Sequence, residues 1–237
     1  MLKFNLKKSW AVTRLNLNRF IVMFIIIGVS IAASALPNFI QVIVSNSGNA
    51  ADNLTPSIAF YVFAFPVFSA IFLASSSFYG TMRLNAKKKD FFLGALFLLL
   101  IAAFTTALFS TLIHYTLVPL IQNNFAITYW TPQGVFGWAD TNPFIAFLQT
   151  FGFIFFATTA VFIFVSLQDR WIGWALAAFV IAGISVFSSV SILRTHIWGS
   201  LFRLILFGHP ALQLLFTVFG GLALYSLYLL ILRKKKI

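Results

Sequence analysis

Long apolar runs separated by short polar or basic stretches set the rhythm of this chain. Crossing about 30 Å of hydrocarbon takes roughly 20 residues of α-helix. Six runs reach that length: 20–44, 58–80, 91–118, 144–167, 171–193 and 211–232. Backbone groups in lipid must find partners within their own segment, so these runs predict helices; the alternating segments of about 10 residues that mark a transmembrane barrel are absent. The predicted fold is an all-α integral membrane protein, one transmembrane domain over 1–237. Pro37 and Pro66 fall inside the first two runs, where each should remove a backbone donor and kink its helix.

The segment before the first run has its own periodicity. At roughly 100° per residue, Leu2, Leu6, Trp10, Thr13, Leu17 and Phe20 share one arc, flanked by Lys3, Lys7 and Arg14. Residues 1–19 therefore read as an interfacial amphipathic helix with Trp10 at headgroup depth, or equally as a basic anchor without a partner. A basic segment leading to Ala33-Ser34-Ala35 has the outline of a signal peptide. The long stretch before its apolar core and the renewed apolar character at 39–44 predict that it is retained.

Between the second and third runs, 81–90 is a compact basic connection of helix formers, able to form a short helix, with Asp90 placed to N-cap the third run. On the other side, 45–57 is a short polar loop, and 119–143 carries Tyr129, Trp130, Phe136 and Trp138, aromatics expected in the interfacial belt. Segment 194–210 is too apolar for a solvated loop and is expected to dip back into the membrane, which irregular backbone does only where protein or a wet cavity covers it.

Composition excludes a soluble protein, because 61% of residues are hydrophobic and 8% charged, against about 25% charged in soluble domains. The net charge of +12 is concentrated before the first run (Lys3, Lys7, Lys8, Arg14, Arg19), between the second and third (Arg83, Lys87, Lys88, Lys89) and at the end (Arg233, Lys234, Lys235, Lys236). By the positive-inside rule this puts both termini in the cytoplasm and leaves Arg194 and Arg203 alone outside. Membrane anchoring, and not nucleic-acid binding, accounts for the excess.

Four aspartates (Asp52, Asp90, Asp140, Asp169), no glutamate and no cysteine exclude HExxH metalloproteases, thiolate chemistry and cysteine-ligated zinc. An intramembrane Ser/His pair is the enzymatic reading to test, with His114 near Ser110 and Ser75-Ser76-Ser77, but no Gly-x-Ser-x-Gly elbow accompanies them. Three scattered histidines give no metal-ligand spacing. Gly220-Gly221 lacks the Gly-Lys-Ser/Thr ending of a phosphate loop, so the chain is not expected to hydrolyse ATP itself. No run carries a charge near its centre, which disfavours an ion-coupled carrier; Thr105, Thr106, Thr158 and Thr159 read as helix-packing residues.

The organisation as a whole resembles the membrane subunit of a type-2 ABC exporter. The likeness is architectural and spans the chain: the basic helix 1–19, the charged connection 81–90, the tight turn Gln168-Asp169-Arg170 and the apolar hairpin 194–210. It implies a homodimer or heterodimer of six-span permeases in a bacterial plasma membrane, carried on cytoplasmic ATPase subunits that hold the ATP and Mg; this chain would bind no cofactor. It further implies that Arg83, Leu84, Asn85, Ala86, Lys87, Lys88, Lys89 and Asp90 touch the ATPase, helped by Lys7, Lys8, Trp10 and Arg14. The external hairpin, with Arg194, His196, Trp198, Arg203 and His209, would shape the exit. Transport would follow alternating access.

Thirty-one phenylalanines favour a hydrophobic or amphipathic substrate such as a peptide, lipid or drug-like molecule. Two alternatives stay open. One is the substrate-capturing component of an energy-coupling-factor importer, against which Ala32, Ala33 and Ala35 lack four-residue spacing; the other is a membrane immunity or structural protein without an ATPase.

Overall fold

The computed structural model describes residues 6–18, 20–22, 25, 28–29, 55–56, 62–120, 129–168, 171–189 and 209–234. Most of the first apolar run with Ala33-Ser34-Ala35 and Pro37, Asp169 and Arg170 of the tight turn, and the hairpin residues Arg194, His196, Trp198 and Arg203 lie outside them. The described residues are almost wholly helical: α1 (6–18), α2 (Ala64–Arg83), α3 (Lys88–Leu120), the short α4 (Pro132–Val135), α5 (Pro143–Leu167), α6 (Trp171–Ser189) and α7 (Pro210–Lys234). A two-residue parallel pairing of Thr55–Pro56 with Tyr129–Trp130 is the extended exception among them. Four helices, α2, α3, α5 and α7 up to Leu232, are long and apolar enough to cross a membrane. That marks a membrane protein.

The expected kink at Pro66 does not set the shape of α2. Pro66 is the third residue of its first regular stretch, Ala64–Phe72, where its missing N–H would lack an intrahelical acceptor anyway. The irregularity comes instead at Leu73–Ser77, a π-helical turn, matched by another at Ile113–Leu117 in α3. Such turns rotate the helix face by inserting one extra residue per turn.

Side-chain pairs fix the helix directions. α2 and α3 form an antiparallel hairpin whose closed end is held by Phe78 edge-on to Phe91. α3 and α5 also run antiparallel, with Phe104 against Phe147 toward one end, and Phe92 and Phe162 gathered round Tyr225 of α7 toward the other. α7 lies parallel to α5, the most extensive pairing among the described residues: Gln149 meets Gln213, Gly152 meets Thr217 and Phe155 meets Gly221 in register. The α2–α3 connection, the C-terminus of α5 and the C-terminus of α7 therefore share one end, the basal end.

α1 packs against the α2–α3 hairpin, meeting Ser77 of α2 and Gly94 of α3. It turns Ser9, Val12, Thr13 and Asn16 inward and leaves Leu6 and Trp10 exposed, so the buried stripe is offset from the apolar arc 2–6–10–13–17–20; of that arc Thr13 and Phe20 are buried. The cause is a close helix contact that only small or polar residues permit. Thr13 Oγ1 donates to Gly94 O at 3.3 Å, and Ser77 donates to Asn16 Oδ1.

Candidate functional site

At the basal end the chain turns from α2 into α3 in four residues. Leu84 N and Asn85 N reach Thr81 O and Met82 O, and Ala86 N also reaches Thr81 O, while Asn85 takes φ 57°. This is a Schellman-type helix end with Asn in the left-handed position, which its short polar side chain tolerates. Only Leu84–Lys87 separate the helices, so 81–90 forms no short helix of its own: residues up to Arg83 finish α2 and residues from Lys88 begin α3. Lys87, not Asp90, is the N-cap, in extended conformation and with no side-chain bond; Asp90 occupies the first turn, where its charge faces the free N–H groups.

The two basic segments singled out in the sequence meet here. Lys8, Ala11, Val12 and Leu15 of α1 face Thr81, Leu84, Asn85, Ala86, Lys87 and Asp90 across a cleft of about 430 Å³. Around it Lys7, Lys8, Arg14, Arg83, Leu84, Asn85, Lys87 and Lys89 are exposed, Ala86 and Lys88 half-buried, and Trp10 is 54% exposed. Asp90 differs from its neighbours: it is 5% exposed and forms part of the cleft wall, so it is withdrawn from any surface contact.

The placement of α1 hangs on Gly94. A Cβ there would lie 2.9 Å from Val12 Cγ1 and 3.0 Å from the Ser9 carbonyl. Gly94→Leu is expected to push α1 off the hairpin at a cost of about 1–3 kcal/mol. The chain has no cysteine of its own, so a disulfide introduced through the paired substitutions Asn16→Cys and Ser77→Cys reports this directly. The engineered bond should form in the parent background and fail in Gly94→Leu.

A second polar group closes the opposite end. Thr131 caps α4 by accepting from Gly134 N at 3.1 Å, and its hydroxyl lies 2.8 Å from His114 Nδ1. Gln133, fully buried, donates to Ser110 Oγ at 2.9 Å and Thr150 Oγ1 at 3.4 Å. Gln149 Nε2 donates to Gln213 Oε1 at 2.7 Å, tying α5 to α7. Trp138 is 1% exposed, packed on Ala146, Phe136 and Phe153. It therefore seals the bundle and does not sit in an aromatic belt, because the tight 131–142 segment folds inward between α3 and α5. His209 caps α7, its Nδ1 accepting from Ala211 N at 3.4 Å.

What this end can do chemically is limited. Ser110 is bonded to Gln133 and His114 to Thr131, so no Ser–His nucleophile pair stands among the described residues. Thr105 and Thr158 bond the carbonyls of Ile101 and Ile154 on their own helices, as packing residues do. The glutamine bridges were missed in the sequence, although a Gln six residues into an apolar run is a readable polar interruption.

Compared with known proteins, the chain matches no family model, no curated sequence and no solved structure.

Proposed function

We propose that this chain is the permease subunit of an ATP-driven exporter of the type-2 ABC kind. The observation that carries the reading is the basal face, where α1 and the α2–α3 connection bring exposed Lys8, Lys87 and the apolar Leu84 round one cleft. A short connection, closed on the α2 side by the Schellman-type bonds, is suited to transmit a push from a docked subunit into α2 and α3. A connection that only joined two spans would not need exposed Leu84 beside four bases.

In this reading the basal face is cytoplasmic, six spans place both termini there, and the permease works as a dimer in a bacterial plasma membrane. α6, at 19 residues, is about 28 Å long and supplies the fifth span; the first run supplies the remaining one. ATP and Mg belong to the cytoplasmic partner. ATP-driven closure of the partners rocks the permeases between inward and outward states and moves an amphipathic substrate outward.

The test is purification of the tagged full-length protein from native membranes in mild detergent, with identification of co-eluting proteins and measurement of ATP hydrolysis. A nucleotide-binding subunit in roughly equal amount is expected. Reversing Arg83→Glu and Lys89→Glu together, both exposed, should weaken its retention by at least about tenfold while the bundle keeps its Tm, since like charges facing across an interface cost several kcal/mol. A parent protein that elutes without any ATPase, or a double variant that retains it fully, overturns the reading.

A further inference from the structure

We propose that the π-helical turn of α2 is movable: it slides toward the base past its contact with α1, and the slide exchanges Ser77 for Ser76 on the side chain of Asn16. The turn spans Leu73–Ser77 and holds one residue more than a regular α-helical turn. Ser77, at its basal edge, is fully buried and donates to Asn16 Oδ1. Asn16 is 1% exposed and is held on its own helix by Nδ2 donating to Val12 O at 2.9 Å. α1 therefore grips α2 at the wide turn itself.

As the helix stands, the extra residue lies on the outer side of that grip. Moved to the basal side, it leaves the place of Ser77 to be filled by the residue before it, Ser76. The local sequence Ala74-Ser75-Ser76-Ser77 tolerates the exchange, because small residues replace small ones and Asn16 meets a hydroxyl in either register. Hydroxyls also stand at both edges of the turn to serve carbonyls that leave the regular ladder: Ser75 Oγ donates to Ile71 O at 2.8 Å and Thr81 Oγ1 to Ser77 O at 2.7 Å. Phe78, fully buried and edge-on to Phe91, limits the slide to one residue.

The wide turn of α3, Ile113–Leu117, is built differently. There His114 Nδ1 lies 2.8 Å from Thr131 Oγ1, and the same slide would set the apolar Ile113 against that hydroxyl. The α3 turn is thereby fixed and the α2 turn is not. The two registers of α2 differ in which serine α1 holds, so whatever displaces α1 at the basal face selects between them. This holds with or without an ATPase docked there.

The test is disulfide cross-linking of the full-length protein in membranes under a permeant oxidant, pairing Asn16→Cys in turn with Ser75→Cys, Ser76→Cys and Ser77→Cys. The Ser77 pair should close fastest. The Ser76 pair should close at about 0.1–10% of that rate, the usual population of a minor conformer, and the Ser75 pair no faster than background. Ser75 and Ser76 are both exposed, so exposure does not distinguish them. Deleting Ser75 removes the extra residue and leaves both flanks of α2 on their present faces. It should keep the Ser77 cross-link and abolish the Ser76 one.

A second measurement needs no cysteine and keeps Asn16 in place. With selective 15N-asparagine labelling, Asn16 Nδ2 should exchange with a minor environment on the μs–ms scale, read by relaxation dispersion. Ser76→Ala should remove that environment and Ser77→Ala should make it dominant. A Ser76 pair that closes no faster than the Ser75 pair, or a single Asn16 environment in the parent protein, overturns the proposal. Equal closure of all three pairs also overturns it, since α1 would then roll freely over α2 in no defined register.

Discussion

Trp138→Ala is expected to lower stability by about 3–5 kcal/mol, the range for deleting a large buried aromatic whose site cannot collapse. The indole is 1% exposed, with ring centroids 4.9 Å from Phe136 and 5.9 Å from Phe153. Its backbone is held as well: Gly137 at φ 70° makes the sharp approach, and Thr141 N and Oγ1 bond back to the Trp138 carbonyl. The surrounding rings belong to α3, to α5 and to the segment itself, so the void left by alanine would loosen 131–142 as a unit. Thermal unfolding in detergent should show a large fall in Tm, and limited proteolysis should cut within 131–142. Trp138→Phe, which keeps an aromatic ring, should lose much less. Equal losses for the two variants would mean that the indole does not fill this space.

Gly152→Ala is expected to destabilise the α5–α7 pair by about 1–3 kcal/mol, and Thr217→Ala to reverse most of that loss. A Cβ at residue 152 would stand 2.5 Å from Thr217 Oγ1 but 3.5 Å from Thr217 Cβ. The hydroxyl is therefore the obstacle. Removing it leaves ordinary van der Waals contact. Thr217→Ala alone forfeits only bonds to the Gln213 and Leu214 carbonyls of its own helix, so it should be mild. Measured as a double-mutant cycle on Tm, the two substitutions should show a coupling energy comparable to the Gly152→Ala loss itself. Additive effects would show that α7 slides away from α5 to make room.

These two sites also mark how far residue patterns reach. The apolar runs at 91–118, 144–167 and 211–232 correspond to α3, α5 and α7 within a few residues, because burying a backbone in lipid demands one uninterrupted helix per crossing. Their ends drifted where helix continues past the apolar stretch: α3 begins at Lys88 and runs to Leu120, and α2 ends at Arg83 and not near 80. Charged and polar side chains at helix ends snorkel, so hydropathy understates the helix. Charge predicted one side of the membrane for α1 and the α2–α3 connection; that they line one cleft was set by the fold. The internal architecture of that connection was not legible, since the left-handed Asn85 is set by backbone bonds to Thr81 and Met82 and the withdrawal of Asp90 by its place on the cleft wall beside α1.

Trp138 and Gln133 were misjudged or passed over for the same reason. An aromatic or amide near the end of a span looks the same in the sequence whether it faces headgroups or the bundle. Only the fold of 131–142, with Thr131 as cap and Gly137 as hinge, turns both inward. Likewise the apolar arc of α1 pointed to one face, while the face it buries is the small and polar one, because Gly94 permits contact only with residues as slim as Ser9, Val12 and Thr13.

By itself, then, the amino-acid sequence determined that this is a helical membrane protein with a basic end, since both properties are sums over many residues and hold for any packing of the helices. Which residues meet was decided by the tertiary structure. Close packing at Gly94 and Gly152, the Gln149–Gln213 bridge and the cleft around Asp90 each depend on the rotation of one helix against another. A rotation of one residue, such as the π-helical turns in α2 and α3 impose, moves every side chain beyond it to a new face.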